Sequence, residues 1–226
     1  MSKSLRLAIN TSATVESVAL LDGKKLLAET VWKSKMDETE RLLKNIEKLL
    51  KRAGKRVNDV DAIIVACGPG PFSAVRIGVT VSNILANSLS IPIYSLNTQV
   101  FWKNRLKSEQ IAARPILLLH AGGHFVNLSG HELKEEMLPI KDVLALVKGK
   151  FAKKSLVFFG DLTENEAREF DEAKEKNWEF IHEKNLKTFG ETVAALPASK
   201  FKKQKIAIPV YWKPANITKF PKAKHA

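Results

Sequence analysis

Apolar residues along this chain recur first with the spacing of strands and then with the spacing of helices. Leu5 to Ile9 reads as a buried strand, Asn10-Thr-Ser-Ala-Thr as a polar turn, and Ser17 to Leu21 as a second strand. Asp22-Gly23 joins it to Lys25 to Trp32; this dipeptide between β-type runs predicts a hairpin, so the chain opens as a three-stranded antiparallel meander. The period then changes. Leu42, Leu43, Ile46, Leu49, Leu50 and Ala53 share one helical face, Asp37 and Glu40 have capping-box spacing before it, and Gly54 closes it. Asp61 to Ala66 is a short apolar run suited to a strand buried on both faces. A glycine–proline loop follows it, then a helix from Ser73 to Leu89, a strand at Ile91 to Ser95 and a short helix at Thr98 to Leu106.

The second half repeats the alternation less clearly. Strands are predicted at Pro115 to Leu119 and Phe125 to Leu128, with Gly122-Gly123 turning between them. A helix is predicted over Leu138 to Val147 and a strand over Leu156 to Phe159, ending at Gly160-Asp161. Thr163 and Glu166 again have capping-box spacing. A strand at Glu179 to His182 and a helix at Thr188 to Leu196, stopped by Pro197, complete the pattern. From Lys200 to Ala226 there are eight Lys and no Asp or Glu, with Pro209, Pro214 and Pro221 interrupting; this reads as an extended arm. The blocks resemble an α/β actin-like, Hsp70-like and sugar-kinase (ASKHA) fold of two related lobes, each with a mixed sheet and flanking helices. The expected units are an N-terminal lobe over 1–107, a C-terminal lobe over 108–212 and a basic tail over 213–226. The repeat itself is not visible in the sequence.

Composition adds little about the fold. The 226 residues are 45% hydrophobic and 27% charged, as in ordinary globular proteins. The formal net charge of +13 fits work near a polyanion such as RNA, and equally a lysine-rich composition. A single cysteine, Cys67, excludes an internal disulfide and points to a reducing compartment. No apolar run approaches the roughly 20 residues of a membrane span, so a cytoplasmic location is expected.

Chemistry centres on Gly68 to Gly78. A glycine-rich turn before a helix N-terminus is a place to hold an anion. Here Pro69 and Pro71 remove donors, and no Lys-Ser or Lys-Thr follows at P-loop spacing. The loop therefore reads as a structural turn, with an anion contact at Gly68, Gly70, Ser73 and Arg76 as the alternative. The helix behind it is apolar over most of its circumference, with Gly78, Thr80, Ser82, Ala86 and Ser88 interspersed, which favours a partner interface over pure core. The expected interface residues are Leu43, Ile46 and Leu50 on helix 37–53 and Val75, Gly78, Val81, Leu85 and Leu89 on helix 73–89.

The segment GPGPFSAVRIGVTVSNILANSLSIPIYSLNT is similar to the signature of the TsaB (YeaZ) family. The opening LAINTSATVESVALL and the closing PVYWKPANITK resemble that family's ends. The resemblance implies a non-catalytic scaffold for threonylcarbamoyl transfer to tRNA adenosine. It implies pairing of the two N-terminal helices with a TsaD-like catalytic subunit, addition of a TsaE-like ATPase, tRNA reached only through the complex, and self-pairing when alone. No cofactor or metal is implied. Asn10 replaces the family's usual Asp, a change that weakens any magnesium site, because a neutral amide is a poor ligand for a hard cation. Asn10 then reads as an Asx-type turn. Gly160-Asp161 resembles a Gly-Asp-Gly turn with Leu162 in place of the second glycine, so Asp161 reads as a turn or cap residue. His120-Ala-Gly-Gly-His124 matches the HxxxH spacing of TsaD, yet its two glycines disfavour a helix and no carboxylate lies beside it in sequence. Two other readings compete: a stand-alone ATPase or kinase of the same fold, and a tRNA-binding module using the lysine-rich tail.

Overall fold

The structure, a computed structural model, describes residues 4–34, 37–107, 114–130 and 132–212. Strands β1 (Leu5–Asn10), β2 (Val15–Asp22) and β3 (Lys25–Lys33) form the antiparallel meander that the alternation and the Asp22-Gly23 turn predict. Helix α1 (Glu38–Arg52) leads to β4 (Ala62–Ala66), which pairs parallel with β1. Helix α2 (Phe72–Ser88) leads to β5 (Ile93–Leu96), parallel to β4, and α3 (Thr98–Lys103) follows. The second half begins with β6 (Arg114–His120), β7 (Phe125–Gly130) and β8 (Leu133–Pro139), again an antiparallel meander. Helix α4 (Ile140–Lys150), β9 (Leu156–Asp161), α5 (Glu164–Ala173), β10 (Trp178–Ile181) and α6 (Phe189–Ala195) complete the same order.

The two sheets carry the repeat. Apart from the short last strand β11 (Lys202–Gln204), the first runs β5-β4-β1-β2-β3 and the second β10-β9-β6-β7-β8. Each lobe has its first strand in the middle, its meander on one side and its two parallel strands on the other. This is the actin-like arrangement. Period-2 alternation serves two cores at once in the first sheet. Leu7, Ile9, Ile63 and Val65 face α1 and α2, while Ala8, Ile64 and Ala66 face a second core with Phe101, Trp102, Phe189 and Val193 of α3 and α6. Leu117, Leu119 and Phe159 of the second sheet join that same core, which binds the lobes together. A third core, around Phe158, Phe170 and Trp178, lies under α4 and α5.

Four sequence expectations need correction. Leu138 to Val147 is not one helix. Its start ends edge strand β8, which the charged run Lys134-Glu-Glu136 disguises and which pairing with β7 holds. Asp37 caps α1 by position only. Its side chain makes no cap bond and instead pairs with Arg41 at 2.6 Å. The carboxylate that His120 lacks in sequence comes from Glu166, 2.8 Å away and 46 residues on. The stretch after Lys200 is not merely an arm. Strand β11, within the span assigned to the second lobe, pairs antiparallel with β5 at the edge of the first sheet. The tail over 213–226 lies outside the described residues. Among the described residues no helix is long and apolar enough to cross a membrane.

One buried carboxyl sits beneath the start of α1. Glu16 on β2 is fully buried, with Trp32 and Glu38 beside its carboxyl. Burial, reinforced by the neighbouring Glu38, pushes its pKa up to about 8. A carboxyl raised in the folded state gives stability that is full below its ordinary value and is lost as pH rises through the raised one. Glu16→Gln is therefore expected to flatten the fall in stability between pH 5 and 8 and to stabilise the protein at the upper end. Urea unfolding of both proteins at the two pH values checks this; parallel pH dependences would refute it.

Candidate functional site

The Gly68–Gly78 loop is built against the β1–β2 turn. Thr11 Oγ donates to the Ala74 carbonyl at 2.7 Å, and a Cβ on Gly78 would fall 2.1 Å from that same Oγ. Only glycine lets α2 lie this close to the turn. Carbonyl oxygens crowd the loop: that of Ser12 against Gly70 and that of Val210 against Gly68. Acceptors packed there oppose an anion and favour a structural elbow. Ser73 and Arg76 are both exposed, and the Arg76 guanidinium lies over the Phe72 ring, 5.2 Å from its centroid. This contact gives Arg76 a partner that its sequence position did not suggest. Cys67 is buried at the foot of the loop, its thiol against the Leu96 carbonyl at 3.4 Å, and burial pushes its pKa up.

The small residues interspersed on α2 divide: Thr80 and Ser88 are exposed, and Gly78, Ser82 and Ala86 turn inward. Ala74, Gly78, Ser82 and Ala86 form a buried stripe, and the helix packs on β1, β4 and β5. They bring α2 close to its own sheet, not to a second helix. The expected interface divides accordingly. Ile46, Leu50, Val75 and Gly78 are buried inside the chain. Val81, Leu85 and Leu89 are half-buried. Leu43 on α1 is 53% exposed, and Ile84 on α2, absent from the expected set, is 59% exposed. Apolar periodicity alone does not say which side of an all-round apolar helix faces outward, and for that reason Ile84 was not singled out.

Hydrogen bonds and ion pairs of the chain's own side chains bridge the cleft between the lobes. Asn10 Oδ1 accepts from the Ser12 N–H at 3.1 Å and the Ser12 hydroxyl at 2.7 Å, as in an Asx turn. Thr98 donates to Ser12 Oγ at 2.7 Å. Asp161, at the end of β9, crosses from the other lobe and accepts both the Thr14 N–H, at 2.8 Å, and the Thr14 hydroxyl. Asp161 is thus an interlobe tie, and its burial pushes its pKa up to about 6 against the opposing pull of Thr14. Lys33 pairs with Glu164 across the same junction, and Arg105 pairs with Glu183 at 2.8 Å while lying over Trp102. Cavities of about 310 and 300 Å³ flank the junction and share Val15 and Glu183. Of the basic residues that line them, Lys33 and Arg105 are paired with carboxylates, and Lys184 and His182 line them as well. The hydrogen bond to Glu166 raises the pKa of His120 against the opposing effect of burial. His120 and His124 lie at the two ends of the β6–β7 turn, and among the described residues no three His, Cys, Asp or Glu side chains are grouped as a metal site.

Comparison with known proteins places this geometry. The family model described as "TsaD: tRNA N6-adenosine threonylcarbamoyltransferase" matches residues 27–198. The tRNA threonylcarbamoyladenosine biosynthesis protein TsaB of Bacillus subtilis is 37% identical over 92 residues, 41% of this chain and 40% of that protein. A solved structure described as an uncharacterized protein with similarity to peptidase YeaZ from Pseudomonas aeruginosa superposes with a TM-score of 0.70 at 25% identity, over 93% of this chain and 100% of that one. The chain belongs to the TsaD family, in its TsaB (YeaZ) branch. TsaB of Buchnera aphidicola is 31% identical over 112 residues, 47% of this chain and 53% of its own length. The matches to these two TsaB proteins thus span only about two fifths to half of their length. The ethanolamine utilization protein EutJ from Carboxydothermus hydrogenoformans, at a TM-score of 0.52 and 10% identity over 86% of this chain and 91% of its own, shares the fold alone. The TsaB signature coincides with the elbow and α2, the segment whose glycine contacts fix the helix on the sheet.

Proposed function

We propose that this chain is a non-catalytic subunit in the formation of threonylcarbamoyladenosine on tRNA. It docks a TsaD-like catalytic subunit on the outer face of α1 and α2, with a TsaE-like ATPase joining and tRNA reached through the complex. Alone, it pairs with itself, and it works in the cytoplasm. The observation that carries the reading is the hydrogen bonding of the polar groups at the lobe junction. The Thr11, Ser12 and Thr14 hydroxyls and the Asn10 amide oxygen are all bonded within the chain, and Asp161 holds the donors that a phosphate would need. A nucleotide phosphate entering there would face a carboxylate and leave it without its hydrogen bonds. Exposed apolar side chains on the outside of α1 and α2, Leu43, Phe72 and Ile84, offer a partner a surface there.

The test is assembly. Mixed with the TsaD-like subunit of the same organism, the chain is expected to co-elute with it at a stoichiometric mass by size-exclusion chromatography with light scattering. Separate elution at micromolar concentrations would contradict the proposal.

A further inference from the structure

The order of the first sheet sets α1 over β2 and β3, α2 over β1, β4 and β5, and β11 beyond β5. Helix α2 therefore has α1 on one flank. On the other flank lies the extended strap that follows β11, from Lys205 to Tyr211. The strap runs antiparallel to α2. Lys205 and Ile206 lie across a groove of about 410 Å³ from Ile84 and Asn87. The Asn83 side chain takes both the N–H and the C=O of Ala207 at 2.9 Å. The Val210 N–H donates to the Cys67 carbonyl at 2.7 Å, and the Tyr211 ring stacks 4.6 Å from that of Phe72.

These contacts hold the strap by its backbone and leave alternate side chains outward. Ile206 is 62% exposed, Ile208 67% and Val210 41%. Three aliphatic side chains at alternate positions of this segment, next to exposed Ile84, form an apolar stripe that nothing among the described residues covers. It exceeds what α1 contributes, which is Leu43. The charge around it has one sign. From Ala62 to Lys107 and from Thr192 to Ala226 there is no Asp or Glu, while Arg76, Lys200, Lys202, Lys203 and Lys205 are exposed. Lysines on an edge strand guard against unwanted pairing, but outward isoleucines just beyond them do the opposite.

We propose that the strap is a second docking element for the catalytic subunit. In the groove between α2 and the strap it receives a surface helix with an aliphatic stripe and acidic flanks. The inference rests on the function proposed above and widens its interface to the far side of α2. The outward positions Ile206, Ile208 and Val210 are aliphatic, and the exposed ring of Phe72 is already engaged by Tyr211 and Arg76, so the stripe suits a protein helix better than stacked bases.

Two variants of the full chain test it against the TsaD-like subunit by calorimetry and stopped-flow. Ile206→Glu combined with Ile208→Glu is expected to weaken binding at least about tenfold while the melting temperature of the free chain is unchanged. Lys202→Glu, Lys203→Glu and Lys205→Glu together are expected to slow association at low salt, with the effect fading at high salt. If the native chain binds and the strap variants bind as well, the strap proposal falls and the proposed function stands. If the native chain does not bind at all, both fall. Loss of self-association or of tRNA binding in the strap variants, with affinity for the catalytic subunit unchanged, would assign the groove to a second copy or to RNA and overturn the proposal.

Discussion

Replacing Ile84 with arginine is expected to weaken binding to the TsaD-like subunit by about two to three orders of magnitude and leave the free chain folded. Ile84 is 59% exposed, so the longer polar side chain is accommodated in water, and surface changes of this kind move stability by about 0.5 kcal/mol or less. In the complex the same guanidinium becomes an unpaired buried charge, which costs roughly 3–5 kcal/mol. Val81→Arg and Leu85→Arg are poorer tests. Both side chains pack partly on the chain's own core, so arginine there disturbs the fold as well as the interface. Leu43→Arg makes the matching change on α1. Calorimetric titration of each variant, with a melting curve of the free chain beside it, separates lost binding from lost folding. Near-native affinity for Ile84→Arg would remove the outer face of α2 from the interface.

Gly78→Ala should be the most damaging small substitution in the elbow. The added Cβ would lie 2.1 Å from Thr11 Oγ and 3.2 Å from Thr11 Cβ, so either α2 lifts from the sheet or Thr11 rotates and gives up its bond to Ala74. Overpacking of this kind costs about 2–3 kcal/mol, or roughly 5–10 °C in melting temperature for a chain of this size. Thr11→Ala removes the nearest atom. The double variant is therefore expected to be more stable than the two single losses added together, by about 1 kcal/mol or more of coupling. Strictly additive losses in urea unfolding would mean that Thr11 is not what Gly78 must clear. The helix that would shift is the one that carries Ile84, so the same substitution should also weaken docking.

What the sequence disclosed and what it withheld follow from the range of the interactions. The opening meander was legible because Asp22-Gly23 and the flanking alternation are local signals. The start of α2 was placed within one residue because Pro71 and the glycines bound it. Thr163 and Thr188 close capping boxes with Glu166 and Glu191; the first was legible from its spacing, and both are three-residue matters. Strand β8 was hidden because Leu133–Pro139 carries three charges in a row and takes its strand form from pairing with β7. Strand β11 is three residues long and exists by pairing with β5 across the fold. Asp161 was read as a turn or cap residue because nothing local announces that Thr14, 147 residues earlier, binds it. The twofold repetition of the lobes rests on which strands pair, and side-chain divergence leaves no trace of that pattern in the sequence. Of the small residues that suggest a partner helix, Gly78, Ser82 and Ala86 face inward, while Thr80 and Ser88 are exposed. The actual neighbours of the inward three are Thr11 and the sheet below, a distinction that spacing along one helix does not contain.

Reconstitution of the modification tests the central claim most directly. Unmodified tRNA is incubated with the organism's TsaD-like and TsaE-like subunits, ATP and the threonylcarbamoyl donor, with and without this chain, and threonylcarbamoyladenosine is measured after digestion. The expected result is modified adenosine only when the chain is present, with no ATP turnover by the chain alone. Full modification in its absence, or ATP hydrolysis by the isolated chain, would contradict a non-catalytic docking subunit.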